Sequence, residues 1–319
     1  MDRSGSGYVE AVIGFVLSGG ANLGSIHVGM LTALLEADIK PDVIVGTSIG
    51  AVNAAFLAAD PTLEQADRLR RLWCDVRARD VFPLNPLASA RALLRQGALF
   101  PSRAWRNFLT ERIPYERIEE AAVPLRITAT DFEEGRSVVL DSGSVVDAVL
   151  ASTALPGIFP PHRIGDCHYL DGAVSDQLPL KVAVDAGAET IYVMAVSVPS
   201  PPPDRRSPGA ILRHSVTILL FPRIRLDALG LPEEHPKLRI VQLPSVKTQV
   251  SLWDMSRHRE LIDTAYEATA EFLAQEQGEE RADGHRIEVA TVPEIEVETQ
   301  VPEEHGVPKP ETRSAGPPD

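Results

Sequence analysis

The amino-acid sequence predicts an α/β protein, a three-layer α/β/α sandwich with a largely parallel central sheet. Two observations carry that expectation. From Val9 to Ala59 the chain runs apolar stretch, glycine loop, helical period, apolar stretch, glycine turn, helical period. This alternation builds parallel strands whose faces are covered by helices. Within it, Val43-Ile44-Val45 meets Gly46-Thr47-Ser48-Ile49-Gly50 and passes directly into the small residues Ala51-Val52-Asn53-Ala54-Ala55. A strand that bends sharply onto a helix holds the serine at the bend in open space, the geometry of a nucleophile elbow.

The elements follow in order. Val9 to Leu17 reads as a buried strand that runs into the loop Ser18-Gly19-Gly20-Ala21-Asn22-Leu23-Gly24. Ile26, Met30, Leu31, Leu34 and Leu35 then recur at helical spacing, and the helix stops before Pro41. Asp42 to Val45 is the second strand and Ser48 to Ala59 the second helix. Thr62 to Val76 is helical, with Thr62 and Gln65 placed for a capping box. Between Arg79 and Pro114 the interruptions Pro83, Pro86, Gly97 and Pro101 allow only short helices, one of them capped by Ser102 over Arg103 to Arg112.

Leu125 to Asp131 and Ser137 to Leu140 flank Glu133-Glu134-Gly135-Arg136 as a β-hairpin. Ser144 opens a helix through Ala151, and Gly157-Ile158-Phe159-Pro160-Pro161 is irregular. His168-Tyr169-Leu170 leads as a strand into Asp171-Gly172-Ala173. Leu180 to Ala186 is a helix, and Thr190 to Val198 is fit for a central strand. A helix near Ala210 to Leu220, a strand from Leu238 to Leu243 and a helix from Asp254 to Ala274 complete the domain, which spans residues 1–277. Residues 278–319 alternate Pro, Glu, Val and Gly with no face to bury and read as a disordered acidic tail.

Composition narrows the function classes. At 44% hydrophobic and 24% charged residues the chain has the makings of a substantial core. A formal charge of -14 argues against nucleic acid as the main partner. Residues 276–319 hold twelve acidic and four basic residues, so the charge is concentrated at that end. The two cysteines, Cys74 and Cys167, make no metal-binding or disulfide pattern, and reduced thiols suit a cytoplasmic protein. The apolar run from Ala11 to Leu17 is too short to span a bilayer.

Three pieces carry the chemistry. Ser48 is the candidate nucleophile, with Gly46 and Gly50 leaving room for the turn and the following helix N-terminus supplying partial positive charge. The loop 18–24 offers consecutive backbone N–H groups that form an anion-binding nest. It lacks the Gly-Lys-Ser/Thr ending of a nucleotide loop, and its Gly-Gly-x-x-x-Gly is not the dinucleotide pattern, so an oxyanion hole serving Ser48 fits better. The third piece is the base. His235, His258, His285 and His305 read as solvated surface residues. Asp171 is the better candidate because it ends an apolar strand and precedes small residues. An aspartate near its ordinary pKa of about 3.9 is a feeble base, so this role requires burial to raise it. Asp131 reads as a hairpin-flanking residue, and Ser152 as part of a segment packed beside the nucleophile with no chemistry of its own.

Leu17-Ser18-Gly19-Gly20-Ala21-Asn22-Leu23-Gly24, Gly46-Thr47-Ser48-Ile49-Gly50, the segment Ala151 to Pro161 and Asp171-Gly172-Ala173 stand in an order and spacing that resemble the four blocks of the patatin-like phospholipase family. The resemblance covers roughly residues 9 to 275. It implies a lipid acyl hydrolase with a Ser–Asp dyad and no metal or other cofactor. The Ser48 position matches the family's nucleophile and Asp171 its dyad aspartate, with Gly172 supporting the second motif. Gly19, Gly20 and Ala21 fall in its oxyanion loop. The resemblance also accounts for the missing histidine, which the family does not use. The family's loop commonly carries a third glycine and an Arg or Lys before its last glycine, where Ala21 and Leu23 stand in this chain.

The expected partner is therefore a lipid or another acyl ester. Between Arg68 and Arg117 eleven arginines face four acidic residues, with Trp73, Phe82, Leu99, Phe100, Trp105 and Phe108 interleaved. One reading of 68–117 is a cap in peripheral contact with an anionic membrane. The other is two or three surface helices whose apolar residues face the core. Two rival functions stand beside the lipid hydrolase: a non-lipid carboxylesterase, and a catalytically weakened lipid-binding or regulatory module.

Overall fold

The computed structural model describes residues 11–82, 85–196, 207, 211, 235, 238–248, 254–280 and 295–296. Five parallel strands form the centre of the sheet: β1 (Ile13–Leu17), β2 (Val43–Thr47), β3 (Leu125–Asp131), β7 (Thr190–Met194) and β8 (Arg239–Gln242), side by side in the order β3-β2-β1-β7-β8. Three antiparallel strands extend it at β3: β4 (Ser137–Leu140), β5 (His162–Ile164) and β6 (Cys167–Asp171). The hairpin read from Glu133-Glu134-Gly135-Arg136 is the β3–β4 turn. Asp131 serves it by accepting the Glu133 and Glu134 N–H groups at 3.0 and 2.8 Å. The short strand β5, which no periodicity marks, pairs with β6 alone among the described residues.

Side chains alternate across the sheet as strand geometry requires. Phe15, Leu17, Ile44, Tyr192 and Met194 face a large cluster built with α1 (Ser25–Glu36), α2 (Ile49–Ala58), α3 (Leu63–Asp75), α6 (Arg103–Thr110), α7 (Val145–Ser152) and α9 (His258–Glu280). Val16, Val43, Val45, Ile191 and Val193 face a smaller cluster under α8 (Leu180–Asp185). Sheet and two helical sides make the α/β/α sandwich with its mostly parallel sheet. The buried β-branched runs behave as strands covered on both faces do.

Local signals meet their expectations unevenly. Thr62 Oγ1 accepts the Gln65 N–H at 3.3 Å, but the Gln65 side chain reaches Phe56 O at 2.7 Å instead of closing a capping box. Ser144 caps α7 by accepting the Asp147 N–H at 3.2 Å. Ser102 precedes α6 without a side-chain cap bond. Between α3 and α6 lie the short α4 (Ala78–Val81) and α5 (Pro86–Gln96) that the prolines impose.

Gly29 sets how closely α1 and α9 pack. A Cβ there would fall 2.2 Å from the Ile262 carbonyl oxygen and 2.6 Å from the Tyr266 nitrogen, so only a glycine lets the backbones touch. At the other end of the chain, α9 continues through Gly278 to Glu280. Ile295–Glu296 forms a strand, β10, parallel to β9 (Val246–Lys247). Apart from Ile211, the helix expected near Ala210 to Leu220 lies outside the described residues, as does most of 278–319.

Candidate active site

Ser48 stands between β2 and α2 with φ +54° and ψ -124°, a conformation that belongs to neither element. A non-glycine residue in this region is strained and persists only where its surroundings enforce it. Two glycines do so by contact. A Cβ on Gly50 would lie 2.3 Å from the Leu17 carbonyl oxygen, and one on Gly46 would lie 2.6 Å from that of Gly50. The start of α2 therefore presses directly on the ends of β1 and β2. Ser152, at the end of α7, accepts the Ser48 N–H on its Oγ at 2.8 Å and ties the bend down from the other side.

Sheet register delivers the partner. On one edge of β3, β4 pairs with residues 127–130. On the other edge β2 runs as far as Thr128, where Thr47 is its partner, and β6 takes over at Ala129, where Asp171 is its partner. Two strands of opposite direction thus abut along one neighbour, and the residues at their meeting ends are Thr47-Ser48 and Asp171. The Thr47 and Thr128 hydroxyls are hydrogen-bonded across this junction. Gly172 allows the close fit, because a Cβ there would sit 2.5 Å from the Thr128 carbonyl oxygen. The result is a hydrogen bond from Ser48 Oγ to Asp171 Oδ2 of 2.7 Å, between residues 123 positions apart.

Asp171 is 2% exposed. Its Oδ1 accepts the Ala173 N–H at 2.9 Å, which orients the carboxylate, and Thr130 Oγ1 donates to its backbone carbonyl at 2.8 Å. Burial pushes its pKa up to about 7 against the opposing pull of the Ser48 hydroxyl and the Ala173 N–H. A carboxylate so placed is as basic as an ordinary imidazole.

The glycine loop lies against Ser48: a Cβ on Gly19 would be 3.4 Å from Ser48 Cβ. The N–H groups of Gly19, Gly20 and Ala21 differ. Gly19 donates to the Gln177 carbonyl in a long bond of 3.4 Å. For the Gly20 and Ala21 N–H groups no acceptor stands among the described residues. Ala21 adopts φ +50°, the left-handed region that favours glycine. The loop is anchored at both ends, by Val196 N–H donating to Ser18 Oγ at 2.9 Å and by Asn22 Nδ2 donating to the Asp254 carbonyl at 2.7 Å.

Ser48 and Asp171 border a cavity of about 150 Å³ whose walls include Val52, Trp73, Phe82, Trp105, Phe108 and Ile158. Of the six apolar residues interleaved with the arginines of 68–117, Trp73, Trp105 and Phe108 are buried and Phe82 and Phe100 are half-buried, while Leu99 stays exposed. From this segment Leu72, Val76 and Val81 join Trp73, Phe82, Trp105 and Phe108 on the cavity wall. Beneath it lies a polar knot that no motif marked. Asn53 donates to the Gly24 carbonyl at 2.8 Å, accepts the Trp73 indole N–H at 2.9 Å and faces His27 Nδ1 at 3.2 Å. His258 is a correction to the surface reading. It is 2% exposed, donates from Nδ1 to the Trp73 carbonyl at 2.7 Å and meets the Trp73 ring edge-on. A lone asparagine inside the Ala-rich α2 was the available signal for this knot. Cys74 and Cys167 are free thiols, the first partly buried and the second exposed.

Residues 15–184, more than half of the chain, match the sequence profile of a family described as patatin-like phospholipase. The chain belongs to the patatin-like phospholipase family. All four blocks of this patatin-like chain, from Leu17 to Ala173, lie within the match. Lysophospholipase NTE1 of Scheffersomyces stipitis is 31% identical over 205 residues, covering 61% of this chain and 12% of that protein. The patatin-like phospholipase domain-containing protein 6 of Homo sapiens is 30% identical over 186 residues, 58% of this chain and 13% of its own length. The chain therefore spans about an eighth of the length of these patatin-like relatives. VipD from Legionella pneumophila has a solved structure that aligns with a TM-score of 0.47 at 15% identity, over 83% of this chain and 67% of that one. Among the described residues no helix is long and apolar enough to cross a membrane.

Proposed function

We propose that this patatin-like chain is a serine acyl hydrolase that cleaves fatty-acyl esters of phospholipids or lysophospholipids through a Ser48–Asp171 dyad. The observation that carries the reading is the 2.7 Å bond from Ser48 Oγ to a buried carboxylate on the wall of an apolar cavity. Asp171, lifted by burial to a pKa of about 7, accepts the hydroxyl proton as Oγ attacks the ester carbonyl. No histidine is needed, because desolvation supplies the basicity that a triad obtains from an imidazole.

Negative charge passes from the carboxylate to the new oxyanion. The Gly20 and Ala21 N–H groups are the donors available for it, with the N-terminus of α2 behind Ser48 adding its dipole. Gly19 joins them if its long bond to Gln177 opens. The proton held by Asp171 goes to the departing alcohol, leaving an acyl-serine. Asp171 then activates a water that releases the fatty acid. The aromatic and aliphatic walls take the acyl chain.

A fluorophosphonate probe tests the site. It should label the wild type and not Ser48→Ala, and absence of labelling in both favours the weakened lipid-binding module. Full esterase activity in purified Ser48→Ala would refute the dyad. The cavity of about 150 Å³ is small beside the 300–1,000 Å³ typical of pockets for drug-sized ligands, which keeps a non-lipid carboxylesterase as the second reading. A series of p-nitrophenyl esters separates the two. The lipid reading requires activity to rise towards long acyl chains, and the carboxylesterase reading requires it to fall.

A further inference from the structure

We propose that the outward face of α5 docks on an anionic lipid bilayer and opens the way from that surface to the cavity. The purpose of such docking rests on the lipid-hydrolase reading, though its geometry does not.

Helix α5 is turned the wrong way for a helix that meets only water. Leu87 and Leu94 are 84% and 85% exposed. Seven positions apart, they lie on one side of the helix with exposed Ala90 between them. Ala92 looks the opposite way and is 3% exposed. A helix on an ordinary protein surface buries its leucines and exposes its polar residues. Leu93 and Leu99, at 55% and 44%, widen the apolar area.

Charge selects the kind of surface. From Val81 to Thr110 the chain carries Arg91, Arg95, Arg103 and Arg106 and no acidic residue, in a protein of net charge -14. Arg106 is held by Asp147 at 2.6 Å. Arg91 and Arg95 are exposed and have no carboxylate partner among the described residues. Arg91 follows Leu87 by four positions and precedes Leu94 by three, so its guanidinium borders the leucines. Leucines flanked by arginines whose stems reach up to the headgroup level are the composition of an interfacial helix.

Continuity with the site selects a bilayer over another protein. Just after α5, the Leu99 and Phe100 N–H groups bond to the Gly157 and Ile158 carbonyls, both at 2.9 Å. Phe100 packs on Phe82 with ring centroids 5.2 Å apart, and Phe82 stacks on Phe159 at 5.8 Å. Phe82, Ile158 and Phe159 are cavity walls. The exposed leucines and the cavity are joined by one apolar tract, along which an acyl chain leaving a membrane need not cross water.

The test is co-sedimentation of the full chain with vesicles of phosphatidylcholine alone and of phosphatidylcholine mixed with phosphatidylglycerol. Wild type should bind the mixed vesicles more strongly. Leu87→Gln with Leu94→Gln should lower the partition coefficient by roughly 30-fold or more, since two leucine side chains lose their apolar burial. Arg91→Gln with Arg95→Gln should remove about 5-fold per arginine, and only on the anionic vesicles. Both double variants should hydrolyse soluble p-nitrophenyl butyrate at the wild-type rate. Failure of wild type to bind either vesicle overturns the proposal, as does undiminished binding by the leucine variant. It is also overturned if light scattering shows a wild-type dimer that the leucine variant converts to a monomer, since a second copy is then the occupant. Failure of the hydrolase reading shows separately, as butyrate hydrolysis that survives Ser48→Ala.

Discussion

Replacing Asp171 by asparagine should make the protein nearly inactive and, at high pH, more stable. The folded-state pKa of about 7 stands against an ordinary value of 3.8, so keeping the carboxylate ionised and buried costs about 4 kcal/mol at 1.36 kcal/mol per unit. The sign follows from proton binding. Between pH 4 and 7, roughly, the folded state holds a proton that the unfolded chain has released. Stability therefore falls as pH rises through that window, and the penalty is complete above it. Asparagine has no ionised form and escapes the penalty. It keeps an oxygen for the Ala173 N–H but turns its amino group to Ser48 Oγ, which loses an acceptor worth about 1 kcal/mol. The net gain at pH 8 is about 3 kcal/mol, or about 6 °C in a chain of this size; it crosses zero between about pH 4 and 5 and becomes a loss of about 1 kcal/mol below that, where only the lost acceptor remains. Thermal unfolding of both proteins across that range measures it. A difference independent of pH, or a wild type more stable than the variant at pH 8, would refute a buried carboxylate of raised pKa. Esterase activity should fall by about 10²–10⁴ in the variant. In the wild type, kcat/KM should climb with pH and level off above an apparent pKa near 7.

Three further outcomes follow from the contacts around the site. Gly50→Ala places a Cβ 2.3 Å from the Leu17 carbonyl oxygen and should destabilise by about 3 kcal/mol or more, seen as a lower Tm together with loss of fluorophosphonate labelling. Ala21→Gly relieves a left-handed φ of +50° and should stabilise by about 1 kcal/mol, with ester hydrolysis kept within a few-fold. A large drop in kcat would show that the Ala21 methyl shapes the loop. Asn53→Ala strips partners from Trp73 Nε1, His27 and the Gly24 carbonyl and should lower stability by about 3 kcal/mol in denaturant unfolding.

Features encoded within a few neighbouring residues were legible beforehand. The elbow is one: a strand-forming run, glycines two positions to either side of a serine, and a helix of small residues leave the backbone few alternatives. The β3–β4 turn, the Thr62 cap and the prolines that shorten α4 and α5 are others, each acting over four or five residues. The pairing of Ser48 with Asp171 was inferred from ordered motifs, and its distance comes from β2 and β6 sharing one edge of β3. What escaped were contacts between distant elements. Ser152 packs beside the nucleophile as its segment implies, but its hold on the Ser48 N–H is set by how α7 meets the elbow. His258, in a polar helix start, is buried because Trp73 arrives from α3 to cover it.

By itself, then, the sequence determined which residues could bend, cap, pair or attack, because those properties belong to a side chain and its immediate backbone. It could not determine solvent access or the direction of an N–H bond. Packing decided that Asp171 is buried and its pKa raised, that Gly19 points its N–H at Gln177 while those of Gly20 and Ala21 meet no acceptor among the described residues, and that Leu87 and Leu94 face outward. Dielectric and hydrogen-bond geometry are properties of everything that surrounds a group, and only the folded chain assembles those surroundings.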